Sequence, residues 1–220
     1  MRNRRRNFTL VELLVVIGII AILAGMLMAG IMYAPAKAQK AKAQAEITTL
    51  VNAIKQFESA YGVLPIPSGV SGDNIVLEGK DYRKMIGILQ DAVKELQDLG
   101  NDDNNPWKGE SDSNKDKDLK KNKRHSKFLD IQGNDPGQFT DPWGNDYYVV
   151  LDGDYNGKIV TDKIDGVNAS SNTYRFSVIA WSKGNDRKSS SSSKTDKTNE
   201  DNVYSFPTTW SSSTGHNISK

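Results

Sequence analysis

One apolar run limits what this chain can become. It begins at Phe8, and from Leu13 to Met32 it contains no charged or strongly polar side chain. As a helix that stretch is about 30 Å long, the thickness of a bilayer's hydrocarbon core. Arg2, Arg4, Arg5 and Arg6 stand directly before it, and cytoplasmic enrichment of Lys and Arg orients the N-terminus inward. The remainder is polar, with a mean hydropathy of -0.58 over the whole chain. The formal charge of +2 is more than accounted for by those four arginines, so the exported part has no basic surplus of the kind that marks nucleic-acid binding. A cleaved secretory signal, cut at Ala34-Pro35-Ala36 or Ala36-Lys37-Ala38, is the simplest alternative, but such signals carry only about 7–15 apolar residues. A plain membrane anchor is another.

The stretch after the apolar run favours a retained segment. Lys37 to Tyr61 is rich in alanine and strong helix formers. Ile47, Leu50, Val51, Ile54, Phe57 and Tyr61 recur mostly three and four apart, one apolar stripe on an amphipathic helix. The spacing predicts a helical stalk from Phe8 to Tyr61, roughly 80 Å long, with a kink at Pro35.

"FTLVELLVVIGIIAILAGM" (8–26) resembles the prepilin-type N-terminal motif of type IV pilins and type II secretion pseudopilins. The resemblance implies cleavage between Asn7 and Phe8 by prepilin peptidase, N-methylation of Phe8, and retention of the apolar helix. The family usually has glycine where this chain has Asn7, a small residue that also suits turns. The resemblance also gives Glu12 a role. A carboxylate in lipid costs about 2.5–3.5 kcal/mol on insertion scales, and the family's glutamate is thought to pair with the N-terminal amine of a neighbouring subunit. A slipped subunit would leave both charges buried and unpaired, so the pair would fix axial register.

Beyond the stalk, Gly62 to Gly69 holds the Gly/Pro signals of a helix exit. Ile86, Leu89, Val93 and Leu96 predict a second amphipathic helix from Tyr82 to Leu99, ended by Gly100. Residues 101–127 mix both charge signs among Asn and Ser and read as a solvated insertion; acids beside "DLKKNKRHSK" dilute any nucleic-acid patch. Strands are expected at 127–131, 146–152, 157–161 and 173–181. The fold class is therefore α+β, a long N-terminal stalk packed against a small antiparallel sheet, a pilin-like lollipop. Its parts are a leader (1–7), a transmembrane and filament-core helix (8–34), an amphipathic continuation (35–62) and a periplasmic globular domain (63–220). "DPWGNDY" (141–147) is similar to the Asp-Pro-Trp-Gly-x-x-Tyr turn of the major pseudopilin of type II secretion, a fixed turn with an aromatic anchor.

The chain has no cysteine, which excludes disulfides and thiolate chemistry and leaves room for a different staple. The stretch 181–206 offers hard oxygen donors on a loop that leaves and returns, the donor type Ca2+ takes. The resemblance implies a structural calcium site there: Ser182 and Asp186 match the first ligand segment, and Asp201 and Asn202 the second. Arg187 and Asn202 depart from the usual glycine and aspartate. A weaker calcium candidate is Asp152, Asp154 and Asn156, which open like an EF-hand loop but lack the closing glutamate, with Lys163 in its place; a β-hairpin turn at Asn156-Gly157 is the simpler reading. His125 and His216 fall in polar segments and read as solvated, with no nucleophile constellation around them.

These observations point to a structural subunit rather than an enzyme, resembling an inner-membrane pseudopilin with a cytoplasmic N-terminus. The partners implied are further copies in a helical filament, prepilin peptidase, and an assembly platform with minor pseudopilins; no nucleic acid is expected. A type IV pilin of a surface fibre and a membrane-tethered binding module are the alternatives.

Overall fold

The computed structural model describes residues 9–130, 135–168, 173–190 and 192–218, without the side chains of 27–33, 161, 168, 173 and 174. The chain divides into two compact units, Met1–Gln39 and Lys40–Lys220. Helix α1 (Leu10–Tyr61) contributes to both and includes Pro35 in its interior.

In the first unit, the described apolar side chains of α1 are solvent-exposed from Leu10, at 80 %, to Met26, at 72 %. A helix that is apolar all round is stable only when something else covers it. Among the described residues no helix is long and apolar enough to cross a membrane. The expected span of 8–34 includes side chains outside those described.

In the second unit α1 becomes one-sided. Ala43, Ile47, Leu50, Ala53, Ile54 and Phe57 are buried along a single face, each of the larger ones contributing about 1.5–3 kcal/mol by leaving water. Gly62 closes the helix: at φ 72° it takes the left-handed conformation that glycine adopts without steric cost, and its N–H donates to Glu58 O at 2.7 Å.

That face packs on an antiparallel sheet of β1 (Asn74–Leu77), β2 (Tyr148–Asp152), β6 (Val178–Ser182) and β7 (Val203–Tyr204), paired in that order. Alternation splits every strand between two cores. Ile75, Leu77, Val149, Leu151, Val178, Ala180 and Val203 face the core shared with α1. Val150, Ile179, Trp181 and Tyr204 enter a second core with Ile159, Ile164, Val167 and Phe206. Two smaller sheets lie in the same C-terminal half. β3 (Ile159–Val160) pairs with β5 (Thr173–Tyr174), and β9 (Gly215–Ile218) pairs with β4 (Val167–Asn168) and with β8 (Thr208–Ser211). The expected α+β architecture is present, with a second core on the face of the sheet away from the helix.

Four local expectations change. The helix expected over 82–99 is two, α2 (Gly79–Leu89) and α3 (Val93–Asp98). Asp91 sits at φ 59°, and Ala92 N–H donates to Gly87 O while Asp91 N–H donates to Ile88 O. This paired closure ends a helix even though the apolar spacing continues. The strand expected at 127–131 is irregular over 127–130, where the N–H groups of Phe128 and Leu129 both turn onto Leu89 O. The strand expected at 173–181 is split into β5 and β6. Asn156-Gly157 closes no hairpin, because β2 pairs with β1 and β6 while β3 pairs with β5.

The stretch read as a solvated insertion is largely folded. It carries α4 (Asp112–Leu119), whose N-cap Ser111 accepts the N–H of Asn114, and it buries Trp107 completely. Its polar residues are used as internal partners. Asn122 Oδ1 accepts from Tyr61 Oη at 2.6 Å, and its Nδ2 donates to Ile88 O and Ser126 O. Buried Lys84 donates to Glu110 at 2.6 Å and Asp81 at 3.1 Å. High charge density disguised a segment held by one indole and a set of satisfied polar groups.

Candidate functional site

Three places carry the expected functional residues. The first is the N-terminus of α1. Thr9 is its N-cap residue and Glu12 the third residue of the helix. Glu12 Oε2 accepts the Thr9 N–H at 2.9 Å and the Thr9 hydroxyl at 2.8 Å, while Thr9 Oγ1 accepts the Glu12 N–H at 3.3 Å. This is a capping box, which satisfies donors that a helix start otherwise leaves open. Within the subunit the carboxylate therefore has a local partner. The Thr-x-x-Glu spacing was the available signal. Asn7 and Phe8, the expected processing site, lie outside the described residues.

The second place is the C-terminal loop pair. The strand pairing Ser182↔Val203 brings 182–188 beside 199–202, so all four residues expected to bind calcium lie on two neighbouring segments. Several of their polar atoms are engaged by the protein. Ser182, fully buried, donates its hydroxyl to Asp141 Oδ2 at 2.6 Å and accepts the Gly184 N–H at 3.0 Å. Asp201 Oδ2 accepts the Asp186 N–H at 3.0 Å, and Asp186 Oδ1 accepts the Lys188 N–H at 2.8 Å. Asn202 donates its amide to Asn199 Oδ1 and Tyr204 Oη, while its own Oδ1 is buried without a partner.

A divalent cation of the calcium type takes six to eight oxygens. Among the described residues no group of three or more His, Cys, Asp or Glu side chains is placed to hold a metal ion. Gly184 lies so close to Asp201 that a Cβ there would stand 2.6 Å from Asp201 Oδ2. The two segments are in direct contact at Gly184 and Asp201.

Asp141 is the residue that sequence reasoning undervalued here. Its Oδ1 accepts the N–H groups of Trp143 and Asn145, and its backbone N–H donates to Asn145 O, which fixes the Asp-Pro-Trp-Gly turn. Oδ2 then receives Ser182. Tyr147, at the end of the motif, is buried, and its hydroxyl donates to Glu46 Oε2 at 2.7 Å. Burial drives its phenol far above the ordinary tyrosine range. One motif thereby fastens the C-terminal loop and the amphipathic part of α1.

The third place, Asp152, Asp154 and Asn156, is an acidic turn at the end of β2. Asp152 accepts the N–H groups of Asn156 at 3.2 Å and Gly157 at 2.7 Å, and Asp154 Oδ2 accepts the Asn156 amide at 2.6 Å. Burial, and then the neighbouring Asp154, raise the Asp152 carboxyl above its usual range. The turn binds itself through these bonds.

His216 is not a solvated histidine. It is buried, edge-on to Tyr204, with Nδ1 3.1 Å from Thr208 Oγ1 and Nε2 bonded to Asn199 O. Asn199, also fully buried, accepts the Ser190 N–H and donates to Ser190 O and Ser193 O. The serine-rich stretch is thus anchored from inside. His125 is exposed and lies 3.1 Å from Asp91.

Residues 2–28 match the family model described as the prokaryotic N-terminal methylation motif. No curated protein and no solved structure matches the chain. The motif supports membership of the type IV pilin-like superfamily as a precursor form. It points to a membrane-anchored N-terminus, to processing by prepilin peptidase and to assembly into pilus-like polymers.

Proposed function

We propose that this chain is a pseudopilin of the major type, a structural subunit that polymerises through its N-terminal helix into a periplasmic pseudopilus serving type II protein secretion. Prepilin peptidase removes residues 1–7 and methylates Phe8, and residues 8–34 hold the subunit in the inner membrane until assembly. One observation carries the reading: the helix is exposed and apolar from Leu10 to Met26, and the single carboxylate of that stretch, Glu12, is set by a capping box at the helix start. Such a surface is stable in lipid before assembly and against other copies of itself afterwards. The Asp141–Tyr147 turn, fastened to Ser182 and Glu46, supports the secretion branch of the superfamily.

Expression with a type II secretion system lacking its own major pseudopilin tests this. Restored export of cargo, together with a mature N-terminus at Phe8, supports the proposal. Fibres on the cell surface without restored export would assign the chain to surface pili instead, and an intact Met1 in membrane-extracted protein would overturn the processing step.

A further inference from the structure

The C-terminal loop pair contains a side chain whose reach and backbone geometry have no role in the pseudopilin reading. Arg187 stands at φ 59°, in the left-handed region that L side chains adopt at a cost and glycine adopts freely. From there its guanidinium Nη2 donates to Trp143 O at 2.7 Å. That carbonyl belongs to the Asp141–Asn145 turn, which also holds Ser182 through Asp141.

Two ties, Ser182 to Asp141 and Arg187 to Trp143, therefore clamp the bend at 183–186 onto that turn from either side. The third contact comes from the second segment: Asp201 Oδ2 takes the Asp186 N–H, and Gly184 rests against Asp201. The carboxylates of Asp141, Asp186 and Asp201 around the bend accept N–H and hydroxyl donors of the chain itself. Arg187 adds a planar, permanently protonated donor, which is spent on the Trp143 carbonyl.

We propose that Arg187 takes the place of a structural cation, so that the C-terminal loop pair is held by the chain itself and is independent of calcium. The left-handed backbone at 187 is what aims the side chain at the Trp143 carbonyl. A loop fastened this way stays closed at any calcium concentration the exported domain meets.

The test uses the full-length chain in detergent. Melting temperature and the rate of protease cleavage within 188–199 are measured in millimolar calcium and in chelator, for the wild type, Arg187→Gly and Arg187→Gln. The wild type should melt at the same temperature and be cut at the same rate in both buffers. Arg187→Gly relieves the backbone strain, yet it should be cut several-fold faster, with a lower melting temperature in both buffers. Arg187→Gln keeps much of the side chain's bulk without its charge and should also be cut faster, which separates loss of the tie from the added freedom of glycine. A melting temperature of the wild type that rises on calcium titration would overturn the proposal. So would an Arg187→Gln protein with wild-type protection of the loop.

Discussion

The indole of Trp107 donates to Asp118 Oδ2 at 2.8 Å, and both residues are buried in a segment crowded with charges. The other carboxylate oxygen, Oδ1, accepts the Ser68 N–H at 2.8 Å. Asp118 thus joins α4, the buried tryptophan and the exit from the stalk helix. Asp118→Ala would leave two donors without acceptors, at about 1–3 kcal/mol for each one that stays buried. Denaturant unfolding followed by tryptophan fluorescence should show that loss, and Asp118→Asn, which keeps an acceptor oxygen, should lose less. An unchanged midpoint in Asp118→Ala would mean that water replaces the carboxylate at no cost.

Phe57 is fully buried on the sheet-facing side of α1, with ring centroids 4.6 Å from Tyr61 and 5.3 Å from Phe128. Its removal opens a cavity between the helix and the segment after α4. Phe57→Ala should cost about 3–5 kcal/mol, while Lys55→Ala, on the exposed face, should fall within about 0.5 kcal/mol of the wild type. Equal effects at the two positions would contradict the assignment of the packed face.

Burial holds the His216 imidazole below its ordinary titration range; Lys40 acts in the same direction, while the Asn199 carbonyl, Asp201 and Glu200 oppose it. A depressed histidine means that the unfolded chain binds the proton more readily, so stability rises with pH. The contribution is complete above about pH 6.5, the usual histidine value, and is lost as the pH falls below it. His216→Gln should flatten that part of the stability profile. A wild-type profile that stays flat from pH 7 to 5 would remove His216 from the account.

Glu12→Ala should leave membrane insertion intact and impair polymer formation. Fractionation of membranes and recovery of sheared filaments measure the two outcomes separately. Thr9→Ala is the informative partner, because it removes the local cap and leaves the carboxylate free for a neighbouring subunit. Filaments from Glu12→Ala at wild-type yield would contradict an assembly role for the carboxylate.

Periodicity made the stalk helix and the strands β2 and β6 readable, because the residues that repeat are the residues that pack. It failed at Asp91, where the apolar spacing runs on through a helix end closed by two backbone bonds that leave no trace in hydrophobicity. It failed again across 101–127, where one tryptophan outweighs its many polar neighbours. At the loop pair, Ser182, Asp186, Asp201 and Asn202 lie on two neighbouring segments. Which atoms they choose depended on Asp141, forty-one positions before Ser182, and no local pattern conveys a contact at that separation. His216 looked solvated for the same reason: its neighbours in sequence are polar, but its neighbours in space are Tyr204 and Trp210.

Asn199 grips the serine-rich stretch by the backbone, at Ser190 N–H, Ser190 O and Ser193 O. Such a grip is indifferent to spelling and strict about length. One inserted or deleted residue between those two anchor points would carry Ser193 O out of reach. A segment that looks like filler is in this respect a ruler, set to the span of one side-chain amide.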